Sequence, residues 1–153
     1  MTLTAQQTKD VLEQQFVDCK GQTAQRIMQV SNGLQYSWNS ATGLPVCTKI
    51  VNLAFTPTDA TVIPPVVTGP TDNLVINGVV QNPGETYRVT VNNFMATSGD
   101  IFSTLVGGTA VQGGGQGIDA QVAYLLGFKV PAAAYDPTAA LLKKPRVTTV
   151  NLP

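Results

Sequence analysis

Histidine is missing from all 153 residues. That removes Ser-His-Asp triads, Cys-His dyads and every histidine-containing metal site. Charge is scarce, with nine basic and nine acidic side chains making up 12% of the chain, about half the usual share. The net charge is zero and only three arginines occur. No basic face is available to release counterions, so no nucleic-acid partner is expected. Long apolar runs are also missing, and none approaches the roughly 20 residues that cross a bilayer. No transmembrane segment is expected. Met1-Thr-Leu-Thr is not a signal peptide, because no apolar stretch follows a basic start. Two cysteines are too few for structural zinc, which takes four ligands. Cys19 and Cys47 are either one disulfide or two buried thiols. Low charge with abundant Thr, Asn and Gly suits an exported bacterial protein, which favours the disulfide.

The hydrophobic share is 43%, enough for a packed core in one domain spanning 1–153. The polar surface is mostly neutral, built from 19 Thr, 12 Gln and 9 Asn. Thr4 reads as the N-cap of a first helix, with Thr8, Val11, Leu12 and Phe16 on one face. Strand-like runs follow at Ile27–Ser31 and Leu34–Trp38. In the second, Leu34, Tyr36 and Trp38 alternate with polar residues. Cys47–Thr56 reads as another strand. Five prolines and glycines between 57 and 72 make that stretch a loop or an irregular edge crossing. Leu74–Ile76 is a short strand, and Tyr87–Val91 is the clearest strand of all. Ile101–Val106 is expected to form one helical turn. A second helix carries Ile118, Val122, Leu125 and Leu126 and stops at Gly127. A short turn of helix is expected at Ala139–Lys143, and Val147–Leu152 makes a last strand. The sum is an α+β fold, a mixed or antiparallel sheet with two main helices.

Few segments suggest chemistry. The glycine-rich stretch 107–117 lacks the Lys-Ser/Thr pair of a phosphate loop, so it reads as a linker. The carboxylates, Glu13 among them, are scattered, and most are expected in turns or on helix surfaces. The segment from Tyr87 to Phe102 is different. It runs from a strand into a sharp turn that carries Phe94 and Asp100. A ring can stack on a flat ligand, and a carboxylate can accept hydrogen bonds from two adjacent hydroxyls. Base plus ribose matches that pair. The plainer alternative puts Phe94 in the core and lets Asp100 cap a turn.

The same segment resembles the C-terminal domain of the 5'-nucleotidase family, which includes UDP-sugar hydrolases. The family pattern is roughly Tyr-x-Val-x-x-Asn-x-Phe-Leu-Ala-x-Gly-Gly-Asp-Gly-Phe. This chain keeps Tyr87, Val89, Asn92 or Asn93, Phe94, Ala96, Gly99, Asp100 and Phe102. Met95 replaces Leu, and Ser98 and Ile101 replace glycines. Residues 28–38 are similar to the family's Leu-Gln-Val-Ser-Gly-Leu-x-Tyr-x-Tyr. Leu3–Glu13 resembles its helix opening, and Arg146-Val-Thr148 resembles its closing strand. The resemblance implies a substrate-binding domain in which Phe94 stacks on the base and Asp100 contacts the ribose hydroxyls, with Asn93 and Gly99 beside them. It implies half of a nucleoside site. It also implies a separate N-terminal metallophosphatase domain that holds two divalent metal ions and hydrolyses the phosphoester. No metal or other cofactor is expected in this chain, which alone should be inactive. The parent would be secreted, periplasmic or attached to the cell wall. The rival readings are a secreted structural or adhesive β-rich module, and a degenerate family member weakened at Ser98 and Ile101.

Overall fold

The computed structural model describes residues 1–59, 61–62, 66–134, 136 and 146–152. The chain divides into two compact units, Met1–Ala110 with Pro145–Pro153, and Val111–Lys144. The first begins with strand β1 (Thr2–Thr4) and helix α1 (Ala5–Glu13). Thr4 caps α1 in a full capping box. Its hydroxyl accepts from the Gln7 backbone N–H, and the Gln7 side chain accepts from the Thr4 N–H. Two of the orphan donors at the helix start are thereby satisfied.

Strands β2 (Leu34–Asn39), β3 (Ile50–Phe55), β6 (Asp72–Ile76), β7 (Val79–Val80) and β9 (Val147–Val150) form one sheet in the order β7-β6-β3-β2-β9. All its pairings are antiparallel except β2 with β9, which is parallel. The expected α+β fold with a mixed sheet is the one found. Two small pairs complete the first unit: β1 with β8 (Thr86–Arg88), and β4 (Thr58–Asp59) with β5 (Val66–Val67). Helix α3 (Gly117–Leu126) belongs to the second unit. Its expected apolar residues Ile118, Val122, Leu125 and Leu126 are all exposed. No described helix is long and apolar enough to cross a membrane.

Helix α1 is apolar on two sides. Ala5 and Leu12, with Phe16 just beyond the helix, join Tyr36, Ile50, Leu53, Leu74 and Val75 of the sheet in one core. Val11 joins Met1, Leu3, Phe102 and Leu105 in a second. The helix thus links the sheet to the segment that follows the Phe94–Asp100 turn.

Several local expectations shift. Ile27–Ser31 is not a strand. Its Ile27, Met28 and Val30 pack against the core. The Met28 N–H bonds to a side chain, Gln15 Oε1, at 2.9 Å instead of to a neighbouring strand. The strand expected over Tyr87–Val91 ends at Arg88, because its partner β1 is only three residues long. The strand expected from Cys47 starts at Ile50, since Cys47 adopts a left-handed φ of 59°. The expected turn at 101–106 is split between two 3-10 turns, Gly99–Ile101 and Ser103–Gly107, with Phe102 between them. The turn of helix expected at Ala139–Lys143 lies outside the described residues. Cys19 and Cys47 are joined by a disulfide. Closing a loop of that separation stabilises the fold by about 3–4 kcal/mol on the chain-entropy account.

The expectation for Glu13 is corrected outright. Its side chain is 1% exposed, not on the helix surface. Lys9 Nζ lies 2.7 Å from Oε1, and the backbone N–H groups of Lys49 and Ile50 donate to the carboxylate at 2.8 and 3.0 Å. The helix end is thereby bolted to the start of β3. Removing the carboxylate strands a nearly buried ammonium and two backbone donors. Glu13→Leu is expected to lower the unfolding free energy by about 3 kcal/mol in urea denaturation. Glu13→Gln, which keeps one acceptor oxygen, should cost less.

Two phenols titrate late. Burial raises the Tyr36 pKa above its ordinary value. Burial also raises that of Tyr87, and the Asp72 carboxylate that accepts its hydrogen bond raises it further. Both groups favour the protonated folded state, so their contribution is complete below about pH 10, the unfolded value. It is lost as the pH rises through the higher folded values. Absorbance titration at alkaline pH should show phenol ionisation above the ordinary tyrosine range for Tyr36 and Tyr87. Tyr87→Phe should remove one of them.

Candidate functional site

After β8 the chain makes a single helical turn, α2 (Asn93–Ala96). Asn92 caps it, its side chain accepting from the Met95 N–H at 2.8 Å. Met95 and Ala96 pack against the second core. Phe94 projects elsewhere and remains 57% exposed. Asn93 is exposed beside it. The plain alternative of a core phenylalanine is therefore not what the fold contains.

The turn that follows is unusual for its residues. Ser98, Asp100 and Ile101 have φ values of 73°, 53° and 67°. Left-handed geometry costs an L-residue roughly 1–2 kcal/mol, and a β-branched residue such as Ile is the least suited to it. Ser98 and Ile101 are the two positions where the resembling pattern has glycine. The backbone keeps a shape that glycine would take freely. Gly99 is needed for another reason, close approach. A Cβ there would lie 2.5 Å from both Phe94 Cδ1 and the Phe94 carbonyl oxygen. The ring thus lies directly against the Gly99 backbone.

Two buried glutamines hold this strained turn. Gln14 Nε2 donates to the Ile101 carbonyl at 3.1 Å and to Ser103 Oγ at 2.9 Å, and Gln14 Oε1 accepts from the Thr104 N–H at 3.0 Å. Gln22 Nε2 donates to the Asp100 carbonyl at 2.9 Å and to the Gln14 carbonyl at 2.9 Å. Four of these bonds reach the turn, at about 1 kcal/mol each, a sum of the same order as the backbone strain. Phe102 and Leu105, both nearly fully buried, anchor the far side.

Asp100 holds its carboxylate at the surface, with 44% of the side chain exposed, and its Oδ1 lies 3.5 Å from Arg26 Nη1. Both partners are well exposed, so solvent screens the pair and it adds at most about 1 kcal/mol. Of the sequence candidates, Phe94, Gly99 and Asp100 are thus held in one turn, with Asn93 on its helical lead-in. Sequence reasoning missed Gln14, Gln22 and Arg26. Nothing marks the buried glutamines among the 12 in the chain. Arg26 carried a faint signal, since it lies two residues before the stretch resembling the family.

The profile of the family described as 5'-nucleotidase, C-terminal domain, matches residues 1–107. The chain belongs to this family. The crystal structure of a 5'-nucleotidase precursor from Thermus thermophilus aligns with 100% of the chain at 25% identity and a TM-score of 0.62. The chain spans 25% of the length of that protein. No curated protein matches the sequence.

Within this 5'-nucleotidase C-terminal domain the candidate turn carries Phe94 and Asp100 at the surface. An open depression of about 200 Å³ lies over the sheet between Gln35, Ser37, Asn52, Ala54, Arg146 and Thr148. A second borders Asn39, Ile50 and Asn77. Neither is lined by Phe94 or Asp100. Because backbone stands in the way at Gly99, Gly99→Ala cannot be absorbed by a side-chain rotation. It should destabilise the domain by roughly 1–3 kcal/mol and displace the Phe94 ring, visible as altered aromatic shifts in NMR spectra.

Proposed function

We propose that this chain is the nucleoside-binding domain of a secreted, metal-dependent 5'-nucleotidase that hydrolyses nucleotide phosphoesters. The observation that carries the reading is the exposed Phe94 ring seated on Gly99, with Asp100 the next residue of the turn and its carboxylate at the surface. Phe94 stacks on the base, because an exposed flat ring gains dispersion and excludes water when a second flat ring covers it. Asp100 accepts hydrogen bonds from the ribose hydroxyls. Gly99 lets the ring lie close to the backbone, and Asn93 offers an amide beside it. Left-handed backbone at Ser98 and Ile101 keeps the turn in a glycine-like shape, which favours a working site over a degenerate one. The exposure of Phe94 speaks against a purely structural module.

Hydrolysis itself is assigned to an N-terminal metallophosphatase domain. The two divalent metal ions do not fit the residues of this chain. It has no histidine, and no group of three or more metal-ligating side chains occurs among the described residues. No metal-dependent step is assigned to it. Its part is to hold the nucleoside so that remote binding energy places the phosphate. The Cys19–Cys47 disulfide supports a location outside the cytoplasm.

The test is a titration of the chain with adenosine and AMP, followed by backbone amide shifts. Shifts are expected to centre on residues 93–100. Phe94→Ala should weaken binding by ~1–3 kcal/mol, the usual value of one base–aromatic stack. Shifts elsewhere, or affinity unaffected by the substitution, would return the domain to a structural or adhesive role.

A further inference from the structure

Phe94 offers a flat face to any base and is indifferent to the sugar. Discrimination at the sugar must come from the polar groups beside it. Asn93 and Asp100 are in the same segment, and Arg26 adds a cation 3.5 Å from Asp100. The Arg26 backbone is fixed, its N–H donating to the carbonyl of the buried Gln15 at 2.8 Å. Its guanidinium reaches the surface, with 39% of the side chain exposed, and meets Asp100 only through the single 3.5 Å approach. A charge-assisted N–H···O bond is typically about 2.7–2.9 Å. Neither group therefore saturates the other. Arg26 Nε is buried and has no hydrogen-bond partner among the described residues. The arginine has hydrogen-bonding capacity that the fold does not use.

We propose that Arg26 is a ribose-recognition residue that acts with Asp100 on the same pair of vicinal hydroxyls. The inference rests on the nucleoside-binding reading and extends it to one further residue. A hydroxyl both donates and accepts. A carboxylate only accepts, and a guanidinium only donates. Asp100 accepts hydrogen bonds from the hydroxyls, and Arg26 donates to the lone pairs of the same oxygens. Together they complete what a carboxylate alone leaves half-satisfied. The pair thereby selects a ribose over a deoxyribose, because removing a hydroxyl leaves both a donor and an acceptor without a partner. Since the ion pair itself is exposed and weak, replacing Arg26 leaves the fold in place.

The full chain, as wild type, Arg26→Met, Arg26→Lys and Phe94→Ala, is titrated with adenosine, 2'-deoxyadenosine, 3'-deoxyadenosine and AMP. Wild type is expected to prefer adenosine over at least one deoxy analogue by about tenfold. Arg26→Met should reduce that preference to about threefold or less, with adenosine losing more affinity than that analogue. Arg26→Lys, which keeps a cationic donor, should recover part of it. An adenosine preference untouched by Arg26→Met overturns the proposal. So does an equal loss for all three nucleosides, and so does a loss confined to AMP, which would assign Arg26 to the phosphate. In each of those cases Phe94→Ala still weakens every ligand and the nucleoside-binding reading stands. If Phe94→Ala weakens none of them, that reading fails and the role of Arg26 fails with it.

Discussion

Three consecutive buried polar side chains at the end of α1 organise the first unit. Glu13, Gln14 and Gln15 are each at most 1% exposed, and they reach three different segments. Glu13 receives the backbone of β3. Gln14 holds the turn after α2. Gln15 accepts from the Met28 N–H and from the Tyr36 hydroxyl of β2. A buried polar group without partners costs far more than a satisfied one contributes. The triplet is therefore stable only when all three segments are in place. It acts less as a source of stability than as a constraint that admits one arrangement, since a slipped register would leave several of these groups unpaired.

The candidate site depends on that constraint. A four-residue helix and two short 3-10 turns cannot hold a ring and a carboxylate in position by themselves. Left-handed backbone at Ser98, Asp100 and Ile101 persists because Gln14 and Gln22 bind the carbonyls on that side, while Phe102 and Leu105 fix the other in the second core. Local strain kept by surrounding contacts is common where a protein presents side chains to a ligand. Serine and isoleucine are held in left-handed geometry at these positions in this way.

Much of the first unit was legible in the sequence. The α1 cap, the alternation of Leu34, Tyr36 and Trp38, and the β3 run all express local rules of hydrogen bonding and periodicity. The motif carrying Phe94 and Asp100 was legible through its resemblance to the family pattern. Ile27–Ser31 misled, because an apolar extended segment looks like a strand whether its N–H groups meet a neighbouring strand or a glutamine. Tyr87–Val91 misled for the opposite reason, since its strand propensity outran the length of its partner. Glu13 misled because a lone carboxylate near a helix end usually faces water.

By itself, then, the sequence determined the α+β class, the first helix with its cap, most of the sheet strands, and the residues from which a nucleoside site could be built. Those features depend on neighbours a few positions apart. Only the tertiary structure decided whether Phe94 is core or surface, which glutamines are buried, and that Arg26 stands beside Asp100. These follow from contacts between residues far apart in the chain, such as Gln14 with Ser103 across 89 positions and Gln22 with Asp100 across 78. Such contacts leave no period or spacing to read. They exist because two cores packed on one helix bring its end, the strand start and the turn into hydrogen-bonding reach.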